Sequence, residues 1–341
     1  MPPDSSQQKR KTLERIGKRL LVLTVSAIGI ALLFYQIQRV GVERLSLEIS
    51  RASRPWLAIA FGLTVLRFVI WGLRLAFLSQ RVTRCKTFPY FIFVMVTNFL
   101  GLLLPFLRAG GTLIRAHMAG RRFGGGTATH LGPNLLDQVL VSISWLLVAG
   151  AMTPFLAWKT GNAQIEKLSM ALLVGIVLSA GVLWLMRRKA SHLALWLEIP
   201  RPGRRGKLAG AGSRTLHGAR TLLEDRAALA WGLVGGLLFV LVTGLGQYGA
   251  LRAVGDDSAW WLSMLAVTVG GALGTASGTP GGAGVTEAAQ IGFLASQGLS
   301  IETATASVII ARGFHYGFIL TAGPLAALWE WRRGELSLEV E

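Results

Sequence analysis

The residues best suited to chemistry lie in the segment SGTPGGAGVTEAA, residues 277–289, which interrupts a long apolar region. Pro280 suits the first turn of a helix because its missing amide proton would be unpaired there, and Gly281 and Gly282 let a ligand approach the backbone. The free amides and positive dipole end of such a helix can hold a phosphate. This pattern predicts a helix that begins at Pro280 and an anion site at its tip.

Glu287 lies about two turns into that predicted helix, where a carboxylate in apolar surroundings must be paired or reach water. Its candidate partners are Arg312, Arg67 and Arg74. Arg67 and Arg74 are seven residues apart and so share a helix face. One such arginine could snorkel to the membrane surface, but two on one face favour a polar stripe that points inward.

Three further polar residues have two interpretations each, and the sequence leaves them open. Asp137 can cap the start of a helix or join a buried ion pair. His315 can carry a proton, although a lone histidine in a membrane helix is more often a structural hydrogen-bonding group. Asn98 can bond across helices or line a cavity.

A second glycine-rich segment, LLPFLRAGGTLIRA at residues 103–116, carries Arg108 and Arg115. It also interrupts an apolar stretch, so we expect it to contribute to the same site. The glycines at 232 and 236, and those at 270 and 274, have the G-x-x-x-G spacing, which predicts close helix packing rather than ligand binding.

The elements that hold these residues are membrane helices. The chain is 52% hydrophobic and 15% charged, with a mean hydropathy of +0.51, values far from those of a soluble domain. Apolar runs of about 18 residues can cross a bilayer. They predict full spans at Leu20–Ile37, Pro55–Leu78, Leu135–Trp158, Leu168–Met186, Ala227–Leu251 and Ala304–Trp329.

Two more apolar stretches, Phe88–Phe106 and Trp260–Leu294, are predicted to be broken, re-entrant hairpins. Broken helices occur at membrane depth only where protein or a water-filled cavity satisfies the freed backbone groups. The two hairpins would enter from opposite faces, an inverted-repeat arrangement that places a substrate site where their tips meet. The predicted fold is therefore an all-α, polytopic membrane bundle of about six spans and two hairpins.

The net charge of +18 is concentrated next to the predicted spans. Basic residues crowd the N-terminal segment 1–19 and the loop 187–226, which places both in the cytoplasm together with the tail 335–341 and assigns 20–334 to the membrane domain. Contact with anionic lipid headgroups is expected, and nucleic acid is not, because no recognised basic motif accompanies the charge. Four arginines in the first outer loop oppose this topology: Arg39, Arg44, Arg51 and Arg54.

The motifs and spans together resemble the bacterial membrane family defined by the flippase-type transmembrane domain of lysylphosphatidylglycerol synthase, over Arg15 to Trp331. The first family motif is matched by Asn98, Pro105, Arg108, Gly110, Gly111 and Arg115. Its later acidic residue is matched by Asp137. The closing motif, the most specific, is matched by Pro280, Gly281, Gly282, Gly284 and Glu287, and the following arginine by Arg312.

This resemblance implies a lipid-translocating module of the bacterial inner membrane, with both termini cytoplasmic. The family's first motif usually carries an acidic residue beside its glycines, where this chain has Gly111 and Thr112, so the role of that carboxylate does not transfer. We find no soluble aminoacyl-transfer domain before Glu341, and so we do not expect the chain to synthesise lysylphosphatidylglycerol.

The predicted function is a non-enzymatic flippase or scramblase for a lipid with an anionic or phosphate-bearing headgroup. The predicted substrate-binding residues are Arg67, Arg74, Asn98, Arg108, Arg115, Asp137, Pro280, Gly281, Gly282, Glu287 and Arg312. No metal or cofactor is expected, because neither a P-loop nor metal-ligand spacing occurs. The alternative is a membrane accessory of a glycosyltransferase or of a hopanoid or isoprenoid lipid pathway, active only with its partner.

Overall fold

The computed structural model describes residues 42–103, 107–161, 203–277, 279 and 282–333, together with residue 38 and scattered positions between 167 and 188. Every regular element within these ranges is a helix, so the predicted all-α class is confirmed. In chain order the helices are α1 Val42–Ser50, α2 Arg54–Gln80, α3 Thr87–Leu103, α4 Leu107–Phe123, α5 Gly126–Thr160, α6 Gly203–Glu224, α7 Arg226–Ala253, α8 Trp260–Ala276, α9 Val285–Ser296 and α10 Ile301–Arg332.

Four helices of the described part, α2, α5, α7 and α10, are long and apolar enough to cross a membrane. They confirm four of the predicted spans, although α5 begins at Gly126 and not near Leu135. The extra turns carry Gly132, which packs against α6. The predicted spans Leu20–Ile37 and Leu168–Met186 lie outside the described residues, apart from scattered positions of the second.

Local sequence signals explain where the long helices start. The Asp225 carboxylate accepts hydrogen bonds from the amides of Ala227 and Ala228 at 2.9 and 3.1 Å, which caps α7. The Ser300 hydroxyl accepts one from the Thr303 amide at 3.1 Å, which caps α10. These side chains satisfy amides that would otherwise be unpaired at a helix start.

Basic residues near the ends of α2, α4 and α10 lie at one end of the bundle in the described part of the chain, and we call it the basic end. An ion pair of 3.3 Å between Arg81 and Asp225 joins the end of α2 to the start of α7. Another of 3.2 Å between Arg122 and Glu330 joins the ends of α4 and α10. The basic end thus contains Arg81, Arg84, Lys86, Arg121, Arg122, Arg332 and Arg333, as well as α6.

The opposite end is held by contacts between α1, α2, α7 and α10. The Ser53 amide donates to the Ala253 carbonyl at 2.7 Å, and Ile49 of α1 packs with Ala306 and Ile310 of α10. Of the arginines in the first predicted outer loop, Arg44 therefore lies in a packed helix, and Arg51 and Arg54 follow it directly; Arg39 lies outside the described residues.

Two pairs of short helices connect the long ones. Helices α3 and α4 pack together near the basic end, where Tyr90 and Phe123 stack with ring centroids 5.8 Å apart. Helices α8 and α9 pack together near the opposite end, around Leu262, Ala266 and Ile291. The predicted hairpin Trp260–Leu294 is thus a helix pair, whereas the predicted hairpin Phe88–Phe106 covers only α3, and its second arm is α4. The connecting residues 104–106, 278 and 280–281 lie outside the described residues.

Both G-x-x-x-G segments make the predicted close contacts. Gly232 and Gly236 of α7 lie directly against Leu140 and Ser144 of α5. Gly270 lies against the backbone of α9, where an added Cβ atom would come within 2.8 Å of the Thr286 carbonyl oxygen. The prediction of close helix packing is confirmed for both segments.

Replacing Gly132 by alanine is expected to lower the free energy of unfolding by about 1–3 kcal/mol, the usual cost of overpacking. A Cβ atom there would lie 2.6 Å from the Thr215 carbonyl oxygen and 2.8 Å from the Ala219 nitrogen, both backbone atoms of α6. Gly62→Ala in α2 is the control, because no atom lies within 4 Å and alanine favours the helix. Unfolding in detergent, followed by circular dichroism, compares the two; equal stability would contradict the close α5–α6 packing.

Candidate functional site

A cavity of about 790 Å³ lies between the two short-helix pairs and the long helices. Its charged lining residues come from α2, α4 and α10. Helices α5, α7 and α8 contribute apolar side chains and uncharged polar ones. The apolar lining residues on these three helices include Trp145, Leu146, Ala149, Phe239, Val242 and Val267. The cavity therefore combines cationic groups with an apolar surface.

Glu287 and Arg312 form one of two buried ion pairs beside the cavity. The Arg312 Nε atom donates to Glu287 Oε1, and the Tyr316 hydroxyl donates to the same oxygen at 3.1 Å. Arg312 lines the cavity, whereas Glu287 is only 3% exposed and does not. Of the three candidate partners for Glu287, Arg312 is the one in contact. The second carboxylate oxygen has no hydrogen-bond partner among the described residues.

Arg74 and Asp137 form the other buried pair. Arg74 Nη2 donates to Asp137 Oδ2 at 3.1 Å, Nε donates to Oδ1, and Nη1 reaches the Gly235 carbonyl oxygen at 3.5 Å. Asp137 lies well inside α5, so the ion-pair interpretation is correct and the capping interpretation is wrong. Neither residue lines the cavity, so the pair supports the cavity wall from behind.

Arg115 lines the cavity and is only 4% exposed. Its three nitrogens donate to Asn134 Oδ1, Thr97 Oγ1 and Thr112 Oγ1, each at 3.2 Å. All three acceptors are uncharged. They fix the orientation of the guanidinium group and leave its charge in place.

Arg67 lines the cavity from α2 and donates to Nδ1 of His315. Because a guanidinium group can only donate, that ring nitrogen must accept, which makes His315 a neutral partner. The imidazole ring is stacked on Phe68, with centroids 5.5 Å apart and an interplanar angle of 2°. This geometry agrees with a structural hydrogen-bonding role for His315. Together with the buried pair of Arg74 and Asp137, it confirms that Arg67 and Arg74 point inward.

Asn98 also lines the cavity, while its Nδ2 atom donates to the Val94 carbonyl within α3 at 2.8 Å. Gly111 lines the cavity as well, and it lies within α4 rather than in the turn between α3 and α4. Pro105, Pro280 and Gly281 lie outside the described residues, as does the side chain of Arg108.

The helix predicted to begin at Pro280 begins at Val285, and this part of the prediction is wrong. Gly282 and Gly284 have φ values of +73° and +80°, a left-handed conformation that ends regular α-helix. Glu287 is consequently in the first turn of α9 and not two turns in. The predicted anion site at the helix start would therefore lie near Val285 and not at Pro280.

Sequence reasoning did not identify Tyr316, Thr112 or Trp71 as part of the site. Tyr316 follows Arg312 by four residues and so shares its helix face, a spacing that could have indicated the contact. The guanidinium carbon of Arg115 lies 5.3 Å from the ring centroid of Trp71, a contact between α4 and α2 that no local pattern predicts. Among the described residues no three histidine, cysteine or acidic side chains form a metal-binding group.

Long apolar helices around a polar cavity define a multi-pass helical membrane protein. The family model for the lysylphosphatidylglycerol synthase TM region matches residues 20–323, and the chain belongs to this family. The predicted resemblance is thereby confirmed over nearly its whole proposed extent. A direct comparison with curated proteins gave no match.

Proposed function

We propose that the protein moves a lipid with an anionic or phosphate-bearing headgroup across the membrane, without covalent chemistry. The observation that supports this most directly is the cavity, in which Arg67, Arg115 and Arg312 share one space with apolar side chains of α5, α7 and α8. An amphipathic ligand needs both kinds of surface. The predicted site residues Asn98, Glu287, Arg74 and Asp137 line this cavity or pair with the residues around it.

The energetic problem is the passage of a polar headgroup through hydrocarbon. A charged group at the bilayer centre costs at least about 2.5–3.5 kcal/mol on insertion scales. Fixed guanidinium groups and oriented hydroxyl and amide groups lower that cost because they replace the water that the headgroup loses. The acyl chains have no such requirement and can stay in contact with lipid.

The short-helix pairs fit re-entrant hairpins in an inverted repeat. The pair α3–α4 lies near the basic end and the pair α8–α9 near the opposite end, so we propose that they enter the membrane from opposite faces. With the basic end in the cytoplasm, the positive-inside rule holds for the loops next to α2, α4 and α10. The protein would then reside in the bacterial inner membrane with both termini inside.

Reconstitution tests the proposed activity. Liposomes that contain the protein and a fluorescent phosphatidylglycerol in one leaflet should expose that lipid to an added quencher faster than protein-free liposomes. Exchange that requires an added envelope-lipid enzyme would favour the alternative role as an accessory. No exchange of any phosphate-bearing lipid by folded protein would contradict the proposal.

Cys85, the only cysteine, tests the proposed orientation. It lies between α2 and α3 at the basic end, and burial raises the pKa of its thiol. A membrane-impermeant maleimide should label it in inside-out vesicles and not in right-side-out vesicles. Because the thiolate is the reactive form and is scarce below a raised pKa, the rate should rise about tenfold per pH unit from neutral pH. Labelling in right-side-out vesicles would reverse the orientation.

A further inference from the structure

We infer that the cavity selects headgroups with a net negative charge and rejects headgroups that carry an ammonium group, including the aminoacylated lipid after which the family is named. This inference rests on the proposed lipid-binding role of the cavity and adds its charge selectivity.

The lining residues carry charge of one sign only. Arg67, Arg115 and Arg312 line the cavity, and no aspartate or glutamate is among the described lining residues. An ammonium group entering this space would meet three guanidinium groups and no carboxylate from the described lining residues. A phosphate would meet charge-assisted donors, which are the strong hydrogen-bonding groups for an anion.

The two carboxylates near the cavity are both in ion pairs with arginines. Asp137 is paired with Arg74, and Glu287 is paired with Arg312. Both acidic side chains are at most 3% exposed and lie outside the lining. The two ion pairs are neutral overall, so Arg67 and Arg115 give the cavity a surplus of two positive charges. Neither has a carboxylate in hydrogen-bonding contact among the described residues, although Asp137 also attracts Arg115 from a distance.

The neighbours of Arg67 and Arg115 orient them without neutralising them. Arg115 donates to an amide oxygen and two hydroxyls, and Arg67 donates to a neutral imidazole. A buried charge is costly unless a counter-charge approaches it. An anionic headgroup between these guanidinium groups would supply that counter-charge, whereas a zwitterion would supply it only in part.

Thr112 is the position at which this selectivity can be reversed. Its hydroxyl accepts from Arg115 Nη2 at 3.2 Å and it lines the cavity, so an aspartate there would pair with Arg115 and present a carboxylate to the ligand. Thr112→Asn is the matched control, because it has nearly the same shape as aspartate and adds no charge. Because Thr112→Asn changes the shape of the side chain but not its charge, the preference for phosphatidylglycerol should be clearly greater in Thr112→Asn than in Thr112→Asp.

The experiment measures equilibrium binding of three short-chain lipids to purified protein in detergent: dioctanoyl phosphatidylglycerol, phosphatidylcholine and lysylphosphatidylglycerol. Wild type should bind phosphatidylglycerol at least about tenfold more tightly than the other two, the scale of one charge-assisted hydrogen bond. Thr112→Asp should lose that preference. Equal or tighter binding of lysylphosphatidylglycerol by wild type would overturn the inference, and so would a preference that Thr112→Asp leaves intact.

Measuring binding and transport separately distinguishes a failure of this inference from a failure of the proposed function. Selective binding of phosphatidylglycerol without any movement between leaflets would support the charge selectivity and contradict translocation. Glycerophosphoglycerol, which keeps the singly charged phosphodiester headgroup without the acyl chains, should bind at least about tenfold more weakly if apolar walls contribute. Equally tight binding of glycerophosphoglycerol would support the anion site and contradict a lipid as its ligand.

Discussion

Replacing Asp137 by alanine is expected to lower the free energy of unfolding by about 3–5 kcal/mol, the cost of leaving one partner of a buried ion pair unpaired. Arg74 would keep its charge at a side-chain exposure of 3%, and among the described residues its remaining hydrogen-bond acceptor would be the Gly235 carbonyl oxygen at 3.5 Å. Water cannot readily take the place of the carboxylate, because Asp137 itself is fully buried. Chemical denaturation in detergent micelles measures the difference.

Two comparisons make this result specific. Glu224→Ala removes an exposed ion pair with Arg220 on α6, and it should cost less than about 1 kcal/mol. The double substitution Arg74→Met with Asp137→Leu removes both buried charges and should recover most of the stability lost by Asp137→Ala. If Asp137→Ala is as stable as wild type, the buried pair does not contribute the expected free energy of unfolding.

Glu287→Gln is expected to reduce lipid translocation by about ten- to hundredfold, which corresponds to the loss of one charge-assisted hydrogen bond. Glutamine keeps the shape of the side chain and one oxygen acceptor, but it leaves the charge of Arg312 uncompensated at the cavity. Arg312→Ala should have a similar effect. Glu287→Gln should still insert and fold, because the Arg312 side chain that it leaves unpaired is 16% exposed and can be hydrated, in contrast to Arg74. Arg312→Ala leaves the buried Glu287 without its cation, so its folding is checked by size-exclusion chromatography before the assay.

Glu302→Gln is the matched control for this substitution. Glu302 lies in the first turn of α10, away from the cavity lining, and loses the same charge. Translocation by the control should remain close to that of wild type, measured in the same liposome assay. If both Glu287→Gln and Arg312→Ala translocate lipid at the wild-type rate, these two residues do not belong to the proposed site.

Hydropathy predicted the long helices well because bilayer thickness and helix geometry leave little freedom. Each of the four described spans follows an apolar run in the sequence. Helix α6 was missed, since its sequence is polar and basic and only a narrow stripe, which includes Leu222 and Leu223, is buried. A helix that is stabilised by packing on a neighbour does not need the overall apolar composition that hydropathy detects.

The candidate site was predicted in its residue types and less well in its contacts. Burial of a carboxylate demands a partner, which is why Glu287 and Asp137 could both be expected in ion pairs. The choice of Arg74 for Asp137 depends on how α2 and α5 pack, 63 residues apart, and no local pattern encodes it. The start of α9 was misplaced because two glycines adopt positive φ, a choice that the sequence permits without requiring it.

The two guanidinium charges without carboxylate partners have a consequence for energetics across the membrane. Any displacement of charge along the bilayer normal does work against the membrane potential, about 2.3 kcal/mol per elementary charge for a full crossing at 100 mV. In the proposed translocation cycle, any movement of Arg67 and Arg115 along the bilayer normal would respond to voltage, and a bound anion would cancel part of that response. Voltage would then act differently on the loaded and the empty protein, which would give the proposed transport a direction.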